Sequence, residues 1–310
     1  MDAVAEPAIH LQLSEQHMVQ GLPYQWLTIA MTRRDRIITP ADLRNLALPL
    51  GIDTTGGVVI SGRAPIWLYS YLVQELHPTA WVACYDPRLG AIVVSTHSRL
   101  ASIGQVLPVT LPGASPTASA LCPALLVVGP PDSGKSVLSH ALFQALLPDA
   151  PDVYLQRAQW DGEGNYILEL GAAFAENDRE ALKAANRGQL TDRFFAYHAQ
   201  AILQLRRQKS LVLVDVGGIV QPEKQPILEA CSHYIIISSQ PEAIAPWHEF
   251  CRDRGNLKPL AVVHSRLEPC ETIHTREPYL ELTCGSWRQG QSRTVPTALL
   301  EKVQGLIHFT

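Results

Sequence analysis

This sequence of 310 residues contains one glycine-rich loop whose residue types could bind phosphate. Residues 129–136 read GPPDSGKS and fit the pattern G-x-x-x-x-G-K-[ST] between an apolar strand pattern and an apolar helical pattern. In such a loop backbone N–H groups face phosphate oxygens, the lysine reaches the β and γ phosphates, and the serine hydroxyl can ligate Mg²⁺. The predicted nucleotide-binding residues are Gly129, Asp132, Ser133, Gly134, Lys135 and Ser136, with Ser136 as a metal ligand.

A carboxylate for the same magnesium is expected at the end of a neighbouring strand. Asp215 follows the apolar run 211–214 and is the predicted residue. An ATPase of the AAA type would carry glutamate next, whereas Val216, Gly217 and Gly218 follow here, which is more typical of GTPases or nucleotide-kinase relatives. No Asn-Lys-x-Asp motif follows, so ATP is the expected nucleotide, and its efficient hydrolysis stays open. Further along, Arg157, Asp161 and Glu163 either line the nucleotide or a second substrate, or belong to a solvated polar loop, and the loop is favoured.

A second set of polar residues lies among apolar strands and a helix between residues 57 and 98. Its members are Ser61, Arg63, His77, Asp86, Arg88 and His97. Each has a structural interpretation: His77 can complement a helix dipole, Asp86 can open the turn before Pro87, and the arginines can form surface ion pairs. Taken one at a time, His77 and Asp86 favour the structural interpretation, whereas Arg63 and Arg88 fit a structural and a functional role equally.

Two α/β domains are expected to position the two sets, because a chain of this length can bury two cores. The stretch 107–124 is rich in Pro, Gly, Ser, Thr and Ala, so we predict a first domain at 1–110, a linker at 111–124 and a second domain at 125–310. Before the linker we predict four strands, YQWLTIAM, GVVISG, WVACYD and GAIVVSTH. We also predict two helices there, ITPADLRNLALPL and RAPIWLYSYLVQEL. After it, strands such as HYIIISS and PLAVVHS alternate with helices, which predicts a mainly parallel sheet covered on both faces.

Composition excludes several classes of partner. The formal net charge is -4, which gives no general attraction to phosphate and makes duplex nucleic acid an unexpected partner. The longest apolar runs are far shorter than the ~20 residues that cross a bilayer, so no membrane partner is expected. Six cysteines without C-x-x-C spacing and an acidic beginning of the chain predict a cytoplasmic protein.

The strings GVVISGR-PIWL and YDPRLGA-VV--HS, with His77 nine residues before Asp86, resemble one known family. They are similar to the small CRISPR-associated ring nucleases, whose α/β, CARF-like domain degrades cyclic tetra-adenylate, the second messenger of type III CRISPR defence. The resemblance covers roughly residues 20–110. In some bacteria this family is fused to a C-terminal P-loop domain labelled AAA, and the order of domains predicted here is the same.

The resemblance implies a role for each polar residue of the first domain. Ser61, Gly62 and Arg63 would grip phosphate and adenosine groups of the ring, with His97 as a further substrate-binding residue. His77, Asp86 and Arg88 would be catalytic. Family members use Mn²⁺, and the resemblance implies Asp86 with His77 or His97 as its ligands. The attacking group would be either a metal-bound hydroxide or the neighbouring ribose 2′-OH.

The sequence departs from the family at two positions: Pro78 stands where some members have a second histidine, and Tyr69 stands where others have a polar group such as histidine. We expect either a lower metal affinity than in the stand-alone forms or a reaction that does not need metal. The family forms two-fold dimers that sandwich the ring, with catalytic residues from another dimer, so a homo-oligomer is expected. Trp67, Tyr71 and Trp81 are expected to pack in the core or an interface rather than to stack on adenine.

The leading hypothesis is a phosphodiesterase that opens cyclic tetra-adenylate and is regulated or assembled by an ATP-binding domain. One alternative is a sensor that binds the ring without cleaving it and has an ATPase or kinase output. In another, the second domain is a small-molecule kinase. A manganese-dependent RNA 3′ exonuclease is chemically close to the leading hypothesis.

Overall fold

The computed structural model of the chain describes residues 8–32, 38–111, 121–159, 176–187, 190–191, 193–287 and 294–308. The chain divides into two compact units, Met1–Pro116 and Thr117–Thr310. We call them the N-terminal unit and the C-terminal unit and describe each by itself.

The N-terminal unit is built on a six-stranded sheet with the strand order β1-β2-β3-β4-β5-β6. Its strands are β1 (Ile9–Val19), β2 (Leu22–Met31), β3 (Gly57–Ser61), β4 (Trp81–Asp86), β5 (Gly90–Thr96) and β6 (Val106–Leu107). The three central strands β2, β3 and β4 run parallel, and the outer pairs are antiparallel. Helix α1 (Ile66–Glu75) makes the crossover from β3 to β4. The carboxyl ends of the three parallel strands therefore share one edge of the sheet.

Helix α1 begins directly after Pro65 and buries Leu68 and Leu72 against the sheet. The described part of the N-terminal unit has two apolar clusters. Trp67 and Tyr71 are partly buried against the cluster that contains Leu68 and Leu72, and Trp81 is buried within the second cluster. The three aromatic residues therefore pack as expected. The helix predicted from ITPADLRNLALPL is shorter than expected, because only a 3₁₀ helix forms at Pro40–Asn45.

The C-terminal unit contains a seven-stranded sheet with the order β12-β13-β11-β10-β7-β9-β8. Its strands are β7 (Ala124–Val128), β8 (Tyr154–Ala158), β9 (Val212–Val216), β10 (His233–Ser238), β11 (Lys258–Arg266), β12 (Cys270–Thr275) and β13 (Leu280–Gly285). Every neighbouring pair is parallel except β12 with β13. The α/β class of both units and the mainly parallel sheet are thus confirmed.

Helices cover both faces of this sheet. They are α2 (Lys135–Leu146), α3 (Glu176–Ala185), α4 (Phe194–Arg206), α5 (Gln225–Ala230), α6 (Ile244–His248), a π-helix (Glu249–Arg254) and α7 (Thr297–His308). Successive residues of β7 enter opposite apolar layers, Leu126 on one face and Leu125 on the other. A central strand buried on both faces must be apolar throughout, so polar groups become available only at the edge where it ends. No helix among the described residues has the length and apolar character needed to cross a membrane.

Candidate functional site

The loop between β7 and α2 has a backbone that only glycine can adopt at two positions. Gly129 has φ 149°, and a Cβ there would collide with the backbone oxygen of Ile237. Gly134 caps α2 with φ 93°, and its Cβ would lie 2.6 Å from Cβ of Trp287. The curled loop therefore brings its backbone toward the beginning of α2, where unpaired N–H groups attract anions.

Lys135 and Ser136 begin α2 and are both buried. The Lys135 ammonium donates to the backbone oxygen of Pro130 at 2.7 Å, so the side chain folds over the loop. The Ser136 hydroxyl accepts a hydrogen bond from Gln159 at 3.3 Å. Ser133 Oγ is buried and has no hydrogen-bond partner among the described residues. These four side chains give the loop a polar lining.

Asp215 lies beside the loop because β9 pairs directly with β7, with Asp215 opposite Val127. The Asp215 side chain is 0% exposed and accepts a hydrogen bond from Arg157 Nη1 at 2.7 Å. Arg157 lies on β8 opposite Asp215, so the interpretation of Arg157 as a residue of a solvated loop is wrong. Its companions in that run, Asp161 and Glu163, lie outside the described residues.

The turn after β9 is in contact with the phosphate-binding loop. A Cβ at Gly218 would lie 2.5 Å from the backbone nitrogen of Pro131 and 2.9 Å from the Lys135 ammonium. A hydroxyl and a carboxylate are oxygen ligands of the kind that Mg²⁺ prefers. Ser136 and Asp215 are therefore the residues that could hold a magnesium ion bound with nucleotide phosphates.

The carboxyl edge of the N-terminal sheet collects most of its predicted site residues. Ser61 ends β3 and is buried, and its hydroxyl lies 3.3 Å from that of Thr28. Gly62 has φ 129°, and a Cβ would lie 2.5 Å from the backbone oxygen of Ile29. Tyr69 donates to the backbone oxygen of Gly62 at 2.7 Å, and burial followed by the nearby Cys84 raises the pKa of Tyr69 to about 12, so it remains a donor. Arg63 is exposed directly after this turn.

Asp86 and Arg88 join the same edge at the turn between β4 and β5. Arg88 donates to the Asp86 carboxylate from Nε at 3.0 Å, from Nη2 at 2.6 Å and from its backbone nitrogen at 2.8 Å. Burial opposes ionisation of Asp86, but the hydrogen bonds and charge of Arg88 outweigh it and lower the Asp86 pKa. We call Ser61, Gly62, Arg63, Asp86 and Arg88 the carboxyl-edge set.

His77 and His97 lie at the opposite end of β4. His77 follows α1, and His97 follows β5, where its backbone nitrogen donates to Ala80 at 2.9 Å. Their exposed rings meet edge to face at an interplanar angle of 71°, with centroids 4.6 Å apart. We call them the histidine pair. Since β4 has six residues and a strand rises ~3.3 Å per residue, the pair and the carboxyl-edge set lie about 17 Å apart.

The residues implied as manganese ligands therefore do not meet within one copy of the chain. Asp86 is engaged by Arg88 and lies at the far end of β4 from the histidine pair. Over the described ranges, no group of three or more His, Cys, Asp or Glu side chains could hold a metal ion. The expected site of Asp86 with His77 or His97 is thus corrected: it does not form in one copy, and these residues do not fit a manganese ion there.

Lys224 and Gln159 touch the nucleotide site but were not predicted from the sequence. Lys224 donates to the backbone oxygen of Gly217, and Gln159 contacts Ser136. A single lysine in the polar stretch QPEKQP and a glutamine after a strand have no distinctive pattern, so no sequence signal identifies either residue.

The strand order, the glycine-dependent loop and the neighbouring Asp215 define the class of the C-terminal unit, which has a P-loop NTPase-like fold. The N-terminal unit is identified by comparison: residues 31–108 match the family described as CRISPR-associated protein (Cas_csx3). An uncharacterized protein of Aquifex aeolicus (strain VF5) is 41% identical over 76 residues, which are 23% of this chain and 68% of that protein. Through its N-terminal unit, the chain belongs to this CRISPR-associated family.

Remote structural likenesses are also found. The septum site-determining protein MinD complexed with Mg-ADP from Pyrococcus horikoshii OT3 has 13% identity and a TM-score of 0.35, over 47% of this chain and 71% of that chain. A plasmid partition protein from Borrelia burgdorferi has 11% identity and a TM-score of 0.36, over 60% and 97%. Likenesses at this level say nothing about what this chain binds.

Proposed function

We propose that the N-terminal unit is a ring nuclease that opens cyclic tetra-adenylate, and that the C-terminal unit binds ATP with Mg²⁺ and regulates or assembles it. The observation that carries the proposal is the carboxyl-edge set within the region that matches the CRISPR-associated family. Its Ser61–Arg63 turn and Arg88 supply a hydroxyl, backbone groups and two guanidinium groups at one edge. Such groups bind phosphodiesters, and cyclic tetra-adenylate presents several identical phosphodiester linkages around its ring.

The histidine pair supplies the chemistry of bond cleavage. One imidazole accepts the proton of a ribose 2′-OH while the 2′ oxygen forms a bond to the adjacent phosphorus. The bond from phosphorus to the 5′ oxygen breaks, and the other imidazole donates a proton to that oxygen. The products are a 2′,3′-cyclic phosphate and a 5′-OH, with no water consumed. A guanidinium of the carboxyl-edge set stabilises the charge that develops on the phosphoryl oxygens.

The separation of the two sets implies a site shared between copies. A single phosphate cannot contact both ends of β4 in the same copy, because about 17 Å separates them. We propose that the carboxyl-edge set of one copy meets the histidine pair of another, so that the site exists only in a homo-oligomer. Both sets reach the surface, since Arg63, His77 and His97 are exposed.

In the C-terminal unit, Lys135 would bind the β and γ phosphates, and Ser136 and Asp215 would hold magnesium. Bound magnesium would neutralise phosphate charge. Replacing Lys135 with alanine is expected to abolish binding of ATP, measured by calorimetry, while Lys258→Ala, an exposed lysine of the same unit, leaves it unchanged. If ring cleavage is insensitive to ATP in wild type and in Lys135→Ala alike, the regulatory role is wrong.

The activity is tested by incubating the full chain with cyclic tetra-adenylate and identifying the products by mass spectrometry. Linear products that end in 2′,3′-cyclic phosphate are expected, and His77→Ala should retain binding but lose cleavage. Binding without any linear product would contradict the proposal and favour a sensor. Preferential degradation of linear poly(A) over the ring would instead favour an exonuclease.

A further inference from the structure

A buried lysine lies behind the turn that follows Asp215. Lys224 ends the 3₁₀ helix Pro222–Lys224, and its side chain is turned inward with the residue 2% exposed. Its ammonium donates to the backbone oxygens of Gly217 and of Ile219, the latter at 2.6 Å. Both acceptors are neutral carbonyl groups of the turn after β9. The Lys224 side chain therefore links the end of the segment 217–224 to its beginning by hydrogen bonds.

The surroundings of Lys224 make its charge costly. Its ammonium lies 5.8 Å from the ring centroid of Trp247 on α6, and the titratable groups that face it are Lys135 of α2 and Cys251 of the π-helix. Burial, followed by the charge of Lys135, lowers the pKa of Lys224 to about 8. Neutral carbonyl groups compensate a buried ammonium only in part. A costly buried charge beside a phosphate site is typical of a functional position.

The lysine is connected to the phosphate-binding loop through the glycine turn. Lys224 holds the oxygen of Gly217, and the next residue, Gly218, lies so close to Pro131 and Lys135 that a methyl group would not fit. The position of the Gly218 N–H relative to a terminal phosphate thus depends on the anchor that Lys224 provides.

We propose that Lys224 is a positioning residue that holds the Gly217–Gly218 turn where it can detect a γ-phosphate, so that the C-terminal unit prefers nucleoside triphosphates to diphosphates. This inference rests on the proposed nucleotide binding by the same unit. The β-phosphate contacts belong to the loop 129–136 and do not depend on Lys224. The charge of Lys224 adds to that of Lys135, which favours the more negative ligand.

The test compares the dissociation constants of ADP and of a non-hydrolysable ATP analogue, both with Mg²⁺, for the full chain and its variants. Wild type is expected to prefer the triphosphate by about tenfold or more, a difference of about 1.4 kcal/mol. Lys224→Met and Lys224→Gln should lose this preference and keep their affinity for ADP. Lys258→Met removes an exposed lysine and should behave as wild type.

The outcomes separate this inference from the proposed function. If wild type binds neither nucleotide, the proposed nucleotide binding fails. If wild type binds both but without preference, or Lys224→Met keeps the preference, the role of Lys224 is wrong.

A measurement on the unaltered chain covers the case in which both variants unfold, as judged by circular dichroism. Bound triphosphate favours the charged ammonium, so the triphosphate preference should decrease as the pH rises from 7 to 9 through the Lys224 pKa of about 8. A preference that is constant over this range would overturn the inference.

Discussion

Single residues at the carboxyl edge show how a backbone requirement and a chemical role coincide. Gly62 must be glycine because its φ is 129° and the oxygen of Ile29 fills the place of a Cβ. Asp86 is held ionised by Arg88, which keeps the guanidinium at the edge of the sheet. The pair is partly exposed, so it stabilises the fold by at most about 1 kcal/mol. Its position therefore has more consequence for binding than for stability.

At this scale we expect Gly62→Ala to destabilise the N-terminal unit by about 2 kcal/mol, because it combines backbone strain with a steric collision. The matched control is Gly104→Ala, since Gly104 has φ 82° and nothing within 4 Å of a Cβ. Urea unfolding measures both variants. Equal losses of stability in the two variants would contradict the collision with Ile29.

At the scale of elements, the sequence predicts the parallel strands better than the positions of polar side chains. GVVIS and ALLVV are buried on every residue, and such apolar runs are readily predicted. By contrast β1 was not predicted, although its first residues alternate buried apolar side chains with exposed His10 and Gln12, as a half-buried strand does. The alternation ends where the register with β2 shifts between Leu13 and Gln16.

The glycine loop and Asp215 were predicted because their spacing is itself a motif. The separation of Asp86 from the histidine pair was not predicted. Residues that are close in sequence can lie at opposite ends of the same strand, as these do on β4. The burial of Lys224 likewise depends on tertiary contacts that leave no local pattern.

The pairing of β8 with β9 gives a prediction at the same scale. Arg157→Met should destabilise the C-terminal unit by about 3 kcal/mol, because Asp215 is 0% exposed and loses the guanidinium that compensates its charge. Arg252 forms an exposed pair with Asp253, and Arg252→Met should leave the unfolding curve unchanged. A similar effect of both substitutions on urea unfolding would argue against the importance of the buried pair.

At the scale of the whole molecule, the six cysteines are spread over both units and differ in their exposure to solvent. Cys122, Cys231, Cys251 and Cys284 are buried and Cys84 is half-buried, whereas Cys270 is exposed on β12. Burial raises the pKa of Cys84 and of Cys122, each to about 11, which keeps these thiols protonated and slow to react.

A thiol reagent at pH 8 should therefore modify one cysteine of the folded chain rapidly, and all six after unfolding in guanidinium chloride. Absorbance at the reagent's product band gives the stoichiometry, and Cys270→Ser should remove the rapid phase. Rapid modification of two or more thiols in the folded chain would contradict the arrangement of the two cores.

The central claim is that the carboxyl-edge set of one copy and the histidine pair of another form a single site, and mixing two inactive variants tests it most directly. Arg63→Ala and His77→Ala should each be inactive on cyclic tetra-adenylate. Co-expressed with different tags and purified as mixed assemblies, they should recover about half of wild-type cleavage, because one of the two sites in each mixed pair receives both intact sets. Mixed assemblies that remain as inactive as the separate variants would contradict the claim.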